Sequence, residues 1–325
     1  MHLVILSSCH LGVTLTTAFV FPGQGAQSVG MGRDLYEAAA AARAIFDLAD
    51  ATLGFALTRL CFEGPEEALT ATENAQPALL TVSAALLAAL ADSVDVSSVV
   101  GRRSSVVAGH SLGEHSALVA AGAIDIPTAL RLVRRRGELM SEARDGGMAA
   151  IIGIDEALLE QICREVSVED APVVIANYNS PGQLVISGAG AAVERACVLA
   201  KERGAKRALP LKVSAAFHSP LMRDAAEGLA AAVAQAAIVD ARTPVISNVA
   251  AEPLTQADAI RRELIAQVTS PVRWIASVRR MSDEGVDTFV EIGPGSVLTG
   301  LIKRIAPDAR LVNVSDLASA QAFLE

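Results

Sequence analysis

The sequence predicts an α/β fold in which a large domain is interrupted by a small α+β subdomain. Three observations predict it. Short runs rich in β-branched residues alternate with long Ala/Leu-rich stretches through most of the 325 residues. Between 147 and 212 the elements shorten and follow the order β-α-β-β-α-β, the ferredoxin-like arrangement. Apolar residues make up 52% of the chain, enough to bury a sizeable core in each part.

Taken in order, 17–21 reads as a buried strand that ends at Pro22-Gly23-Gln24-Gly25. Helices are expected over 34–53, 66–70 and 76–91, the last almost wholly Ala and Leu. A strand over 104–108 leads into a helix over 112–121. Asp125 and Pro127 open a further helix running to about Arg144, because proline suits the first helical turn. In the interruption, strands are expected over 148–154, 173–177, 183–187 and 208–213, with helices over 156–166 and 191–204. Asn179-Ser180-Pro181-Gly182 reads as a turn. Helices then follow over 221–237, 257–268, 272–281 and 297–305, with strands over 245–248 and 288–292. The division is an N-terminal extension over 1–16, expected to be poorly ordered, a large domain from 17–146 and 213–325, and a subdomain over 147–212. A cleft between the two domains is the expected ligand site.

Composition excludes several function classes. A net charge of −9 argues against a surface that grips nucleic acid, and 3% aromatics against a stacking platform for bases. The four cysteines, at 9, 61, 163 and 197, form no CxxC pair. Neither a disulfide framework nor a metal site is expected, and the chain reads as reduced and cytoplasmic. Leu6-Ser7-Ser8-Cys9 faintly resembles a lipoprotein cleavage site, but no Lys or Arg precedes it and the cysteine comes too early. No membrane span is expected.

Gly109-His110-Ser111-Leu112-Gly113 fits GxSxG between a strand and a helix, the setting of a nucleophile elbow. In such a turn the Ser111 hydroxyl stands clear of the backbone, and the Leu112 N–H points where an oxyanion would form. A nucleophilic serine needs a base. His2 and His10 lie in the extension, and His110 should point away from Ser111. His115 lies one helical turn beyond Ser111 and stays a candidate. His218, next to the Ser219-Pro220 helix start, is the better one. The glycines of Pro22-Gly23-Gln24-Gly25-Ala26-Gln27 do not complete GxGxxG, since position 28 is Ser28. The loop reads instead as a source of oxyanion donors at a strand end. Arg136 falls on the apolar stripe Ala129, Leu132, Val133, Met140 and Ala143, whereas Arg134 and Arg135 lie off it. A guanidinium there either makes a buried salt bridge or holds a substrate carboxylate.

These motifs resemble the malonyl-CoA:acyl carrier protein transacylase family over about residues 17–315. The resemblance rests on Phe21 to Gln27, Gly109 to Glu114, Arg136-Gly137, Asn179 to Gln183, Phe217 to Met222 and Glu291 to Gly295. It implies an α/β-hydrolase-like core with a parallel sheet and a ferredoxin-like insertion. It further implies Ser111 as the acyl-carrying nucleophile, His218 as its base, Gln24 and the Leu112 N–H as the oxyanion hole, and Arg136 as the malonyl-carboxylate clamp. In this family a backbone carbonyl orients the histidine, which selects Gln267 from the stretch Gln267 to Val272. Malonyl-CoA is then the substrate, the phosphopantetheine thiol of an acyl carrier protein the acceptor, and no permanently bound cofactor or metal is expected. A polyketide-type transferase, a thioesterase-like hydrolase and a non-catalytic carrier-binding protein are the alternatives. The chain is expected to act as a monomer. An acidic carrier meeting an acidic enzyme needs a local basic patch, for which Lys201, Arg203, Lys206, Arg207 and Lys212, with Arg279, Arg280, Lys303 and Arg304, are candidates.

Overall fold

The computed structural model describes residues 16–92, 95, 97–101, 105–143, 146–213 and 215–325. The expected extension, apart from Thr16, lies outside the described residues, as do Ser104, Arg144 and Ser214. The strands are β1 (Thr17–Phe21), β2 (Ser105–Gly109), β3 (Gly147–Ile152), β4 (Val173–Ser180), β5 (Gln183–Gly188), β6 (Arg207–Pro210), β7 (Val245–Ile246), β8 (Pro253–Leu254), β9 (Thr288–Ile292) and β10 (Arg310–Val314).

One sheet runs in the order β10-β9-β1-β2-β7-β8. Its pairings are parallel except for the antiparallel edge pair β7–β8. Successive side chains of a strand face opposite ways. Phe19 and Phe21 of β1 accordingly join one apolar core, while Ala18 and Val20 join another on the far face. Covered on both faces, β1 carries no polar alternation, as a central parallel strand should not. The second sheet, β4-β5-β3-β6, is antiparallel and has its own core against the helices Glu156–Val166 and Gly190–Glu202. It is the ferredoxin-like insertion of an α/β fold. Its β4 is stitched to the large domain, since Tyr178 N–H donates to Val272 O (2.9 Å) and Val272 N–H to Ala176 O (2.8 Å).

Several element boundaries differ from expectation, for local reasons. The single helix over 34–53 is two, Arg33–Ala38 and Ala40–Leu53, broken at an extended Ala39. The second piece thereby buries Ala42, Ile45, Phe46 and Ala49. The helix expected from 76 is Thr72–Ala91 and contains Pro77. Pro77 has no N–H for the Glu73 carbonyl one turn earlier, and Arg134 Nη1 donates to that carbonyl instead (3.2 Å). This helix is long and apolar enough to cross a bilayer, but 83% of its apolar window is buried inside the protein. β7 stops at Ile246: Ser247 N–H still pairs with Glu252 O in the β8 register, but Ser247 O accepts from Ala251 N–H in a turn and Asn248 swings into the site. β4 runs through Ser180 with two register shifts, so Asn179 sits on a strand and only Pro181-Gly182 makes the turn. β6 ends at Pro210, and the chain beyond it lines a cavity at the domain junction. β10 and the helices Leu57–Glu63 and Leu317–Leu324 have no counterpart in the sequence reading.

Candidate active site

The loops that follow β1, β2 and β7 meet at the C-terminal edge of the parallel sheet, where ligands of open α/β sheets bind. β2 ends at Gly109 and the helix Gly113–Ala120 starts three residues later, so the chain reverses at Ser111. Ser111 has φ +52°, a left-handed conformation rare outside glycine. A Cβ on Gly109 would strike the backbone of Gly113, and one on Gly113 would strike the Phe21 carbonyl. The elbow therefore closes only with glycine at both ends. Ser111 N–H donates to Asn248 Oδ1 (2.7 Å) and Asn248 Nδ2 donates to Gly109 O (2.7 Å). Asn248 thus spans the elbow and offsets a backbone strain on the order of 1–3 kcal/mol.

Ser111 Oγ lies 2.7 Å from His218 Nε2. On the other side of the ring, Nδ1 lies 2.9 Å from Gln267 O and 3.1 Å from Ser270 O. Carbonyls only accept, so Nδ1 carries the proton and the Nε2 lone pair faces the serine hydroxyl. Burial, and then the Arg136 charge, push the His218 imidazole down to about 3. The ring is neutral at ordinary pH and able to receive a proton from Ser111.

Arg136 projects from the helix Ile126–Glu142, whose N-cap Asp125 accepts from Thr128 N–H (2.7 Å). The residue is only 1% exposed. Its Nη1 donates to Gln76 Oε1 (2.8 Å), and its Nη2 to Gln267 Oε1 (2.9 Å) and Ser111 Oγ (3.1 Å). Its Nε has no acceptor and it makes no ion pair among the described residues. The buried salt bridge that helical periodicity left open is not made. The nearby acid, Glu114, accepts from Asn248 N–H and the Gln267 amide. Burial, and then Glu263 beside it, raise the Glu114 carboxyl well above its usual range. Burial lowers Arg136 only to about 10, so the guanidinium stays charged and is held by neutral oxygens.

Gln24 lies on the loop after β1, with Oε1 accepting from Thr72 Oγ1 (2.7 Å). The backbone N–H groups of Gln24 and Leu112 have no acceptor among the described residues. Both residues line a cavity of about 270 Å³ together with Ser111, Arg136 and His218 from the large domain and Met148, Asn177 and Leu211 from the subdomain. A larger hollow, about 790 Å³, lies at the opposite edge of the sheet and brings no nucleophile and base together among the described residues. His110 lines the active cavity but bonds Asn179 Oδ1 (2.8 Å), tying the elbow to β4. His115 is buried with neither ring nitrogen partnered among the described residues, away from the cavity, and is not placed against Ser111.

Residues 18–320 match the acyl transferase domain family. A malonyl CoA-acyl carrier protein transacylase of Bacillus subtilis (strain 168) is 51% identical over 302 residues, covering 92% of this chain and 93% of that one. The chain belongs to the malonyl-CoA:acyl carrier protein transacylase family. The transacylase of Staphylococcus aureus (strain MRSA252) is 42% identical over 95% of this chain and 98% of its own. Among solved structures, the acyl-carrier-protein-S-malonyltransferase of Bartonella henselae superposes with a TM-score of 0.90 at 43% identity, over 95% of this chain and 98% of that one. A malonyl-transacylase in complex with a type II PKS acyl-carrier protein superposes with a TM-score of 0.89 at 43% identity, over 95% and 99%.

Four residues around this transacylase-family site escaped the sequence reading: Thr72, Gln76, Glu114 and Asn248. Gln76 had a usable signal, because an amide set against the Ala/Leu-rich stretch that follows it needs a buried partner, though at a smaller cost than a charge. Asn248 had none, since its partners Gly109 and Ser111 lie more than 130 positions away.

Proposed function

We propose that this chain transfers a malonyl group from malonyl-CoA to the phosphopantetheine thiol of an acyl carrier protein, supplying extender units for fatty acid synthesis. The carrying observation is Arg136: buried, charged, without a carboxylate partner among the described residues, and 3.1 Å from the nucleophile. In the first half-reaction Ser111 Oγ attacks the thioester carbonyl while His218 Nε2 takes its proton. The Leu112 and Gln24 donors meet the oxyanion, the carbon–sulfur bond breaks, and the CoA thiolate leaves with the proton from His218. In the second, the carrier thiol gives its proton to His218 and attacks the malonyl-serine ester, and Ser111 recovers its proton as the ester oxygen leaves. Arg136 pairs with the free malonyl carboxylate throughout. The polyketide reading is the same chemistry with another carrier, and the likeness to a PKS transacylase favours keeping it as the second reading.

His218→Ala should slow single-turnover loading from malonyl-CoA by about 10²–10⁴-fold, the usual contribution of a positioned general base. Because burial and Arg136 lower the His218 pKa, the reactive neutral form persists below the ordinary histidine value of about 6.5. Rapid-quench loading rates should therefore stay level as pH falls from about 8 to about 5. A falling limb centred near pH 6.5 would contradict the lowered pKa.

For the carrier, the reading places an acidic partner against the exposed cations of the subdomain, with the enzyme a cytoplasmic monomer. Arg203 is tied to Glu165 (2.7 Å), and Arg280 to Glu252 (3.1 Å) and Glu284 (2.6 Å), which weakens them as docking groups. Lys201, Lys206, Arg207 and Lys212 are exposed and make no ion pair among the described residues. Lys212 stands between Leu211 and Val213, two cavity-lining residues. Reversing the charges of Lys206 and Arg207 should slow transfer to the carrier several-fold and leave loading from malonyl-CoA unchanged. Equal losses in the two half-reactions would remove the patch from the account.

A further inference from the structure

Four side chains, from the carboxylate clamp to the loop after β1, form a hydrogen-bond chain whose direction is set at one end. Arg136 can only donate, so Gln76, fully buried, must turn its Oε1 to Nη1 (2.8 Å). That leaves the Gln76 Nε2 facing Thr72 Oγ1 (3.3 Å), where the hydroxyl must accept. The one hydroxyl proton of Thr72 is then free for Gln24 Oε1 (2.7 Å). Gln24 in turn shows its other amide atom, Nε2, as a donor, and Nε2 makes no hydrogen bond among the described residues. Thr72 is held where it can do this. It is the first residue of the helix Thr72–Ala91, and its carbonyl crosses so close to Gly137 that a Cβ there would lie 2.8 Å away. The Arg136-Gly137 pair therefore supplies both the start of the chain and the space that brings Thr72 to it.

We infer that Thr72 is a positioning residue: its hydroxyl, oriented by Arg136 through Gln76, pins Gln24 with its donor face turned into the active cavity. The inference rests on the reading of Gln24 as an oxyanion-side donor. It makes the acyl clamp and the oxyanion side one connected unit, joined by three hydrogen bonds.

The test compares single-turnover malonyl loading and malonyl-CoA affinity in Thr72→Val, Thr72→Ser, Gln24→Ala and the Thr72→Val/Gln24→Ala double variant. Thr72→Val keeps the side-chain shape but removes the proton. It should slow loading about 10-fold, the equivalent of about 1.4 kcal/mol, with affinity within about twofold of the parent protein. Thr72→Ser should restore the rate to within about twofold, which a purely packing role for the threonine methyl would not allow. In the Gln24→Ala background Thr72→Val should add nothing, because its effect passes through Gln24. Slow loading in Gln24→Ala with parental loading in Thr72→Val, or a full additive loss in the double variant, would overturn the role of Thr72 alone. Gln24→Ala keeps the backbone N–H of residue 24, so parental loading in it would overturn the Gln24 side-chain amide as a donor, and the role of Thr72 with it.

Discussion

Ser111→Ala is expected to abolish the covalent malonyl adduct, a loss on the order of 10⁴-fold or more in transfer, while the fold stays intact. The hydroxyl is the only group that can carry the ester in the proposed path, and nothing structural depends on it alone. Its loss leaves Arg136 Nη2 bonded to Gln267 Oε1 and leaves the Asn248 clamp on the elbow untouched, since that clamp holds backbone atoms. Intact-mass measurement after mixing with malonyl-CoA reads the outcome, with circular dichroism as the control on folding. His115→Ala, by contrast, should load normally, because neither ring nitrogen meets the nucleophile.

Arg136→Ala should cut malonyl loading sharply and leave acetyl loading equal or improved. A malonyl carboxylate against a buried guanidinium gains a charge-assisted pair of about 1.5–3 kcal/mol, or roughly 10- to 150-fold in selectivity. Acetyl-CoA offers no partner for the charge. Arg136→Lys should recover only part of the selectivity, since an ammonium cannot keep Gln76, Gln267 and a carboxylate in one plane. Arg136→Ala also strips the fully buried Gln76 and Gln267 oxygens of their guanidinium donor, so a stability cost of about 1–3 kcal/mol should accompany it. Arg134, off the apolar stripe, is not a fair control. It bonds Asn74 Oδ1 (2.7 Å) and Glu138 (2.7 Å), caps the carbonyl left by Pro77, and stacks on Phe55. Arg135, exposed and held only by a 3.6 Å ion pair with Glu138, is the substitution that should change nothing. Equal losses of malonyl and acetyl loading in Arg136→Ala would make the arginine structural.

The parts legible in the sequence were those governed by short-range rules. The β-branched runs at β1, β2 and β9 and the β-α-β-β-α-β order are local patterns, and Thr17–Phe21 and Thr288–Ile292 fall where the residues place them. The GxSxG elbow was legible because its glycines answer to a steric demand within five residues. Arg136 was legible because a charge interrupting an apolar stripe shows at helical spacing. What escaped was set by distant partners. The short β7 depends on Asn248 reaching back to the elbow at Gly109 and Ser111. The start of the Thr72–Ala91 helix was hidden because Pro77 reads as a breaker until Arg134 supplies the missing donor. Gln267 was reached only by likeness to a family, and the structure places its carbonyl on His218 and its amide between Arg136, Ser111 and Glu114. That second use of the residue has no trace in local sequence.

The most direct measurement isolates the malonyl-loaded protein from excess malonyl-CoA and mixes it with a phosphopantetheine-bearing acyl carrier protein. Both partners are then weighed by intact mass, and the solution is assayed for free malonate. The malonyl mass is expected to leave the enzyme and appear on the carrier thiol, and to stay on the enzyme when the carrier lacks its phosphopantetheine, with little malonate released. Prompt release of malonate with no mass gain on the carrier would make the protein a hydrolase and contradict the transfer.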